Sequence, residues 1–87
     1  MDKPTLLEFP CEFPIKAMGR MGAEFPDLVL ALIREYAPEV TPDDLRSSAS
    51  RNGNYQSVTI TINASSRSQL NNIYRSLTAC EAVLMAL

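Results

Sequence analysis

One segment carries the clearest structural signal in this chain, namely Asn52-Gly53-Asn54-Tyr55-Gln56-Ser57-Val58-Thr59-Ile60-Thr61-Ile62-Asn63. Asparagine and glycine tolerate the positive φ angles of tight hairpin turns, so its first three residues predict a β-hairpin. After the turn, alternate residues share a face, and the two faces carry Gln56, Val58, Ile60 and Ile62 on one side and Ser57, Thr59 and Thr61 on the other. This alternation predicts a strand with one side in the core and one side in water.

The strand before the hairpin is predicted to be weaker. Residues 44–51 offer only Leu45 and Ala49 as apolar positions among serines and arginines, so we expect an edge strand with little burial. Two more strands complete the set. Residues 13–18 alternate between apolar and other side chains, and residues 82–87 predict a short apolar strand.

Two amphipathic helices connect these strands. The first is predicted at residues 25–37, because Pro26 suits a first helical turn and Pro38 disfavours helical geometry in the residue before it. The second opens with a predicted capping box, in which Ser66 caps the helix and Gln69 reaches back to it. We expect residues of both helices to pack on the third strand, and the predicted contacts join Leu28, Leu32, Ile73 and Leu77 to Val58, Ile60 and Ile62.

The order of these elements predicts an α+β domain. The pattern βαββαβ is that of the ferredoxin-like split β-α-β fold, with a four-stranded antiparallel sheet in the order 4-1-3-2 and two helices on one face. We expect residues 1–11 to form a flexible N-terminal lead-in, because Pro4 and Pro10 interrupt regular structure there. Residues 12–87 are expected to form a single domain, since a chain of this length builds one core.

The bulk composition argues against several partners. The net charge of −2 disfavours nucleic acid and anionic membrane surfaces, which select basic proteins. No apolar run approaches the ~20 residues that span a bilayer, and the first residues show no basic region followed by an apolar one. We therefore expect a cytoplasmic protein with no membrane attachment.

Catalytic and metal chemistry have little support in the sequence. Histidine, the commonest general base and a common metal ligand, is absent. Cys11 and Cys80 are too few and too far apart for a zinc site, and we expect them to remain reduced and unpaired with each other. Neighbouring carboxylates in a helix end and a proline-rich loop fit a solvated surface. We therefore expect no catalytic, cofactor-binding or metal-binding residues, and no enzyme.

The hairpin strand also carries a family resemblance. Residues 53–64 closely resemble the signature of the YbeD-like family of small bacterial proteins, and residues 7–10 resemble that family's opening. The resemblance runs nearly end to end. It implies a ferredoxin-like fold similar to the regulatory ACT domains of amino-acid metabolism, but neither a function nor functional residues. At Leu84 the resemblance implies a charged residue, so we expect this leucine to add an apolar group to the sheet face away from the helices.

Two places are candidates for a ligand or a partner. The connection after the first strand contains Gly19, Arg20 and Gly22, where backbone N–H groups near a helix N-terminus attract anions and the guanidinium can grip a carboxylate. In ACT domains, to which the family is similar, this connection helps to bind amino acids. A plain turn is the simpler interpretation. The second place is an apolar interaction face formed by Met18 and Leu84.

These expectations lead to a non-catalytic regulatory or adaptor module. It would act through contacts with a protein partner or by sensing a small ligand, as a monomer or weak homodimer, without a cofactor. The alternative is an RNA-binding or other nucleic-acid-binding domain that uses the open sheet face. RNA-recognition domains of this fold stack bases on aromatic residues of the two central strands. Here only Tyr55 is aromatic, and it lies at a strand end, so nucleic acid is the less favoured partner.

Overall fold

The computed structural model of the protein describes residues 8–87. Within this range the helices and strands are β1 (Cys11–Arg20), α1 (Glu24–Arg34), β2 (Leu45–Ala49), β3 (Tyr55–Ala64), α2 (Arg67–Ala79) and β4 (Met85–Ala86). The paired strands are antiparallel and lie in the order β2-β3-β1-β4, which confirms the predicted 4-1-3-2 sheet. The fold is α+β, of the ferredoxin-like split β-α-β kind.

The buried side of the sheet follows from the alternation in β3. Val58, Ile60 and Ile62 are at most 2% exposed, as predicted. β1 pairs with β3 along its whole length, so Ile15 and Ala17 lie on the same side of the sheet and are fully buried. The buried residues of both helices belong to the same core. The opposite side of the sheet is called the open face below.

The core face of α1 differs from the predicted one. The helix buries a stripe that consists of Phe25, Val29 and Ile33. Leu32 is half-buried and packs against the core, as predicted, whereas Leu28 is half-buried and lines a surface cavity instead. Both sets have helical spacing, and packing decides between them. The Phe25 ring lies against Gly19, where β1 has no side chain, and this contact turns the Phe25 side of the helix toward the sheet.

β1 is longer than predicted at both ends. Every residue from Cys11 to Arg20 has a partner on β3, because the two strands stay in register over their full length. Cys11 therefore belongs to a strand and not to the predicted lead-in, whose residues 1–7 lie outside the described range. Gly19 and Arg20 likewise lie within the strand, and the predicted loop begins only after them.

Two further boundary differences come from turns. α1 ends at Arg34 rather than at residue 37, because the N–H groups of the second and third residues after it both donate to the Ile33 carbonyl. β4 contains two residues instead of the predicted six. A turn closed by a hydrogen bond from the Val83 N–H to the Cys80 carbonyl (3.0 Å) takes the place of its first half.

α2 begins with the predicted cap and with an additional tether. Ser66 Oγ accepts the Gln69 N–H (3.1 Å), as predicted. The Gln69 side chain does not return to Ser66, however. Its Oε1 accepts from the Ser65 N–H (2.7 Å) and its Nε2 donates to the Tyr36 carbonyl (2.7 Å), which ties the start of α2 to the segment after α1. The predicted core residues of this helix are buried, namely Ile73 and Leu77.

The hairpin between β2 and β3 has the predicted turn. Gly53 has a φ of +77°, a backbone angle that residues other than glycine rarely adopt. Its N–H donates to the Ser50 carbonyl (3.0 Å), and the Ser50 N–H donates to the Tyr55 carbonyl (2.8 Å). β2 is the predicted edge strand, with Leu45 half-buried and its other residues exposed.

Candidate functional site

A shallow cavity lies where the end of β1 meets the start of α1. Its volume is about 240 Å³. Three parts of the chain line it: β1 and its turn provide Arg20, Met21 and Gly22, α1 provides Glu24, Phe25 and Leu28, and the segment before β4 provides Glu81, Ala82 and Leu84. The cavity thus combines the predicted glycine-containing connection with one of the two residues predicted for the interaction face.

The side chain of Gln56 on β3 anchors the turn beside the cavity through hydrogen bonds. This side chain is 7% exposed, and its Nε2 donates to the carbonyl groups of Arg20 (3.1 Å) and Gly22 (2.8 Å). The Met21 N–H donates to the Asn54 carbonyl (2.9 Å) on the hairpin. One of the backbone N–H groups of the predicted anion site is therefore already engaged, and the turn is fixed by β3. The sequence places Gln56 on the buried face, but nothing in the pattern points to its two partners.

The three residues predicted for a ligand loop have different structural roles. A Cβ at Gly19 would lie 2.6 Å from the Phe25 Cζ and 2.8 Å from the Ala82 carbonyl oxygen, so this glycine is needed for packing. A Cβ at Gly22 would meet nothing within 4 Å. Arg20 is exposed and lines the cavity. Only Arg20 therefore brings a functional group to the site.

The cavity has an apolar wall and a charged rim. Phe25, Leu28 and Leu84 give it hydrocarbon surface, and the cation of Arg20 stands with the carboxylates of Glu24 and Glu81. Pockets that enclose a small organic ligand usually have volumes of roughly 300–1,000 Å³. The size and lining of this cavity suit a single apolar side chain better than a cofactor.

The register of β4 brings two further residues to the predicted interaction face. Met18 pairs with Met85, and directly opposite residues of antiparallel strands share a face. Met85 therefore accompanies Met18 on the open face. Leu84 donates its N–H to the Met18 carbonyl (2.7 Å) and lines the cavity, and its part in an interaction face with Met18 stays a prediction. The hydrogen bonds that join Lys16 to Leu87 (3.1 and 2.8 Å) place Leu87 on the open face as well.

Exposed apolar side chains gather along this margin of the sheet. We call them the apolar corner, and its members are Met18, Met21, Leu84, Met85 and Leu87. Their exposed fractions run from 36% for Met18 to 60% for Leu87. Single exposed apolar residues are ordinary, whereas several in one place commonly mark an interaction site. The sequence reasoning found two of the five and missed Met21, Met85 and Leu87, and for the last two the reason is that a short terminal strand gives little alternation to assign faces.

Tyr74 of α2 is hydrogen-bonded to Leu87, the last residue of the apolar corner. Its hydroxyl donates to the Leu87 carbonyl (2.8 Å). Partial burial raises the pKa of the Tyr74 hydroxyl above its ordinary value near 10.0, because the phenolate would lose solvation there. The hydroxyl therefore stays protonated near neutral pH and keeps its proton for this hydrogen bond.

The structure also bears on the cysteines, on metal binding and on membrane-spanning segments. Cys11 and Cys80 are both free and half-buried. Among residues 8–87, no group of three or more histidine, cysteine or acidic side chains is arranged to hold a metal ion. In the same part of the chain, the helices are too short or too polar to cross a membrane.

Comparisons with known proteins identify relatives over nearly the full length. The profile of a family described as "Protein of unknown function (DUF493)" matches residues 4–87. A UPF0250 protein of Nitrosomonas europaea is 44% identical over 77 residues, which cover 88% of each chain. A UPF0250 protein of Paraburkholderia phytofirmans is 41% identical over 83 residues, which cover 95% of this chain and 93% of that protein.

A solved structure supports the fold. The solution structure of protein HP0495 from H. pylori superposes with a TM-score of 0.72 and covers 98% of this chain and 88% of that one. The two sequences are 18% identical. At this level of identity the likeness concerns the arrangement of the backbone and carries no functional residue across.

Proposed function

Because the chain belongs to the DUF493 family, which confirms the YbeD-like resemblance but brings no activity with it, we propose a function from the surface itself. The protein is a non-catalytic regulatory or adaptor module that binds another protein in the cytoplasm. The observation that carries this proposal is the apolar corner, where exposed Leu84 and Met85 stand beside a cavity.

A protein partner fits the corner better than a free small ligand. The exposed side chains continue from the cavity onto the open face, so a partner that inserts one apolar side chain beside Phe25 and Leu28 also covers Met85. Methionine is common at such surfaces because its flexible thioether adapts to different partners. The rim charges of Glu24 and Glu81 offer acceptors for polar groups around the inserted side chain.

The chemistry of the chain supports a binding role. No histidine is present in the sequence. Cys80 follows the C-terminus of α2, where the helix dipole disfavours a thiolate. A regulatory role by contact alone needs neither an activated nucleophile nor a cofactor.

Site-directed photo-crosslinking in cells of the native organism tests the proposal. A benzophenone amino acid at position 84 should capture a defined protein, whereas the same group at the exposed position Asn71 of α2 should not. Affinity purification of the tagged protein should lose the captured partner with Leu84→Arg and retain it with Tyr36→Arg, which places the same charge on an exposed apolar residue outside the corner. Retention of the complex with Leu84→Arg would contradict the proposal.

The nucleic-acid alternative rests on the open face. Lys16, Arg20 and Arg46 lie there, and Tyr55 is opposite Arg20. The central positions of β3 carry Ser57 and Thr59 instead of the aromatic residues on which RNA-recognition domains stack bases. Fluorescence anisotropy with RNA over a salt series distinguishes the alternatives, because phosphate binding weakens steeply as salt rises.

A further inference from the structure

The strand register brings two cations into one row across the open face. Arg46 of β2 is opposite Thr59 of β3, and Thr59 is opposite Lys16 of β1. Adjacent strands lie about 4.8 Å apart, so the Cα atoms of Arg46 and Lys16 are separated by about 10 Å. Leu87 continues this row on the far side of Lys16. The row therefore runs from two cations directly into the apolar corner.

The middle of the open face and its hairpin end are cationic. Lys16, Arg20 and Arg46 lie there, whereas the carboxylates of Glu12 and Asp44 lie at the other end of the face, where they line a cavity with Thr61. Glu12 precedes Lys16 by four positions on β1, a distance of about 13 Å at ~3.3 Å per residue. Within residues 8–87, none of the three cations forms an ion pair. The whole chain has a net charge of −2, so the remaining surface carries an acidic excess.

We infer that the open face binds an acidic segment of the partner protein. Carboxylates of the segment lie over Lys16 and Arg46, and its apolar side chains contact Met18, Met85 and Leu87 of the apolar corner. The inference rests on the proposed function and adds the chemical class of the partner. The remaining surface has an acidic excess, so charge complementarity favours this part of the open face for an acidic segment.

Two other occupants fit the open face less well. A second copy that docks through the apolar corner would bring Lys16 close to the same cation of its neighbour, which opposes a dimer centred on the corner. A nucleic acid would find the cations but no aromatic side chain at Ser57 or Thr59 on which to stack bases. Only a segment that carries both carboxylates and apolar side chains uses the cationic row and the apolar corner together.

The test uses defined probes and charge-matched variants. The probes are a fluorescent peptide of alternating glutamate and leucine, the same peptide with lysine in place of glutamate, and an oligouridylate. The variant reverses two charges on the open face (Lys16→Glu with Arg46→Glu). The control reverses two charges on exposed helix positions (Arg34→Glu with Arg75→Glu) and so gives the same net charge. Circular dichroism confirms that all three proteins are folded.

The glutamate peptide should bind the wild-type protein at low ionic strength, and the lysine peptide should not. The open-face variant should weaken binding on the order of tenfold, since it replaces two attractive charges with two repulsive ones. The helix control should weaken it no more than about twofold. On addition of the glutamate peptide, the amide chemical shifts of Thr59 and Lys16 should change more than those of α2. Absence of binding, or equal loss in both variants, overturns the inference, and tighter binding of oligouridylate assigns the face to nucleic acid instead.

The same variants separate this inference from the proposed function. If Leu84→Arg loses the cellular partner while the open-face charge reversals keep it, the adaptor role stands and the acidic-segment inference fails. If the charge reversals lose the partner and Leu84→Arg keeps it, the open face binds the partner and the apolar corner does not. If Leu84→Arg and the open-face charge reversals both lose the partner, while Tyr36→Arg and the helix control both keep it, the adaptor role and the acidic-segment inference are both supported.

Discussion

The backbone of Gly19 lies so close to the ring of Phe25 that a single added carbon would collide with it. A Cβ at position 19 would be 2.6 Å from the Phe25 Cζ, and it would also meet the Ala82 carbonyl oxygen at 2.8 Å. This contact joins β1, α1 and the segment before β4 at the wall of the cavity. The sequence made Gly19 a candidate for ligand binding, whereas its position explains how the site is built.

The two glycines of this connection should therefore respond differently to alanine. Gly19→Ala should lower the free energy of unfolding by about 1–3 kcal/mol, the usual range for overpacking a core. Gly22→Ala should change it by no more than ~0.5 kcal/mol, because a Cβ there meets nothing within 4 Å. Urea unfolding followed by circular dichroism measures both. Equal effects of the two substitutions would mean that the contact between Gly19 and Phe25 is not a constraint.

Gln56 should control the order of the turn beside the cavity. Gln56→Leu removes the donor that serves the Arg20 and Gly22 carbonyls while keeping a side chain of similar size. We expect a loss of about 1–3 kcal/mol, the usual cost of leaving buried polar groups without partners. Hydrogen exchange should accelerate at residues 20–22 more than in α2. The neighbouring Ser57→Ala, on the open face, is the control and should leave the exchange of this turn unchanged.

The Tyr74 hydroxyl should make stability depend on pH at the alkaline end. Its pKa is raised by burial, so the folded state holds the proton more tightly than the unfolded state does. The contribution is fully present below the ordinary pKa near 10.0 and is lost as pH rises through the folded-state pKa. Tyr74→Phe removes the hydrogen bond to Leu87 and should cost about 1 kcal/mol at neutral pH.

Thermal unfolding from pH 8 to 11 measures this dependence, and phenolate absorbance identifies the titrating group. The Tyr74→Phe variant should lose less stability than the wild type above pH ~10, because the titrating group is gone. Tyr36→Phe, at an exposed tyrosine, is the control. Identical alkaline profiles for the wild type and Tyr74→Phe would show that burial of this hydroxyl has no energetic consequence.

The sequence was sufficient for the sheet but not for the rotation of α1. In β3 the apolar β-branched residues recur at every second position, a period that only a half-buried strand produces. In α1 the leucines at 28 and 32 and the stripe of Phe25, Val29 and Ile33 both have helical spacing. The choice between them depends on the contact of Phe25 with Gly19, which joins two elements and leaves no periodic signal in either.

The apolar corner shows a second limit of prediction from the sequence. A shift of one residue in register moves every side chain of a strand to the other face. β4 has two residues, so its own alternation was too short to distinguish Leu84 from Met85 as the neighbour of Met18. The bonds between Lys16 and Leu87 fix that register through the backbone, where side-chain patterns give no information.

Self-association through the apolar corner should be weak and should depend on salt. We expect a monomer with a reversible dimer only at high protein concentration. Lys16 borders the corner on the open face and would repel its counterpart. Because salt screens this repulsion, association should strengthen as ionic strength rises.

Sedimentation equilibrium of the wild type, Leu84→Arg and the matched Tyr36→Arg measures this association. Only Leu84→Arg should abolish the dimer, since it places a charge at the cavity. A strictly monomeric wild type at every salt concentration, or an equal loss in both variants, would remove the corner as a site of self-association and leave it to a different protein.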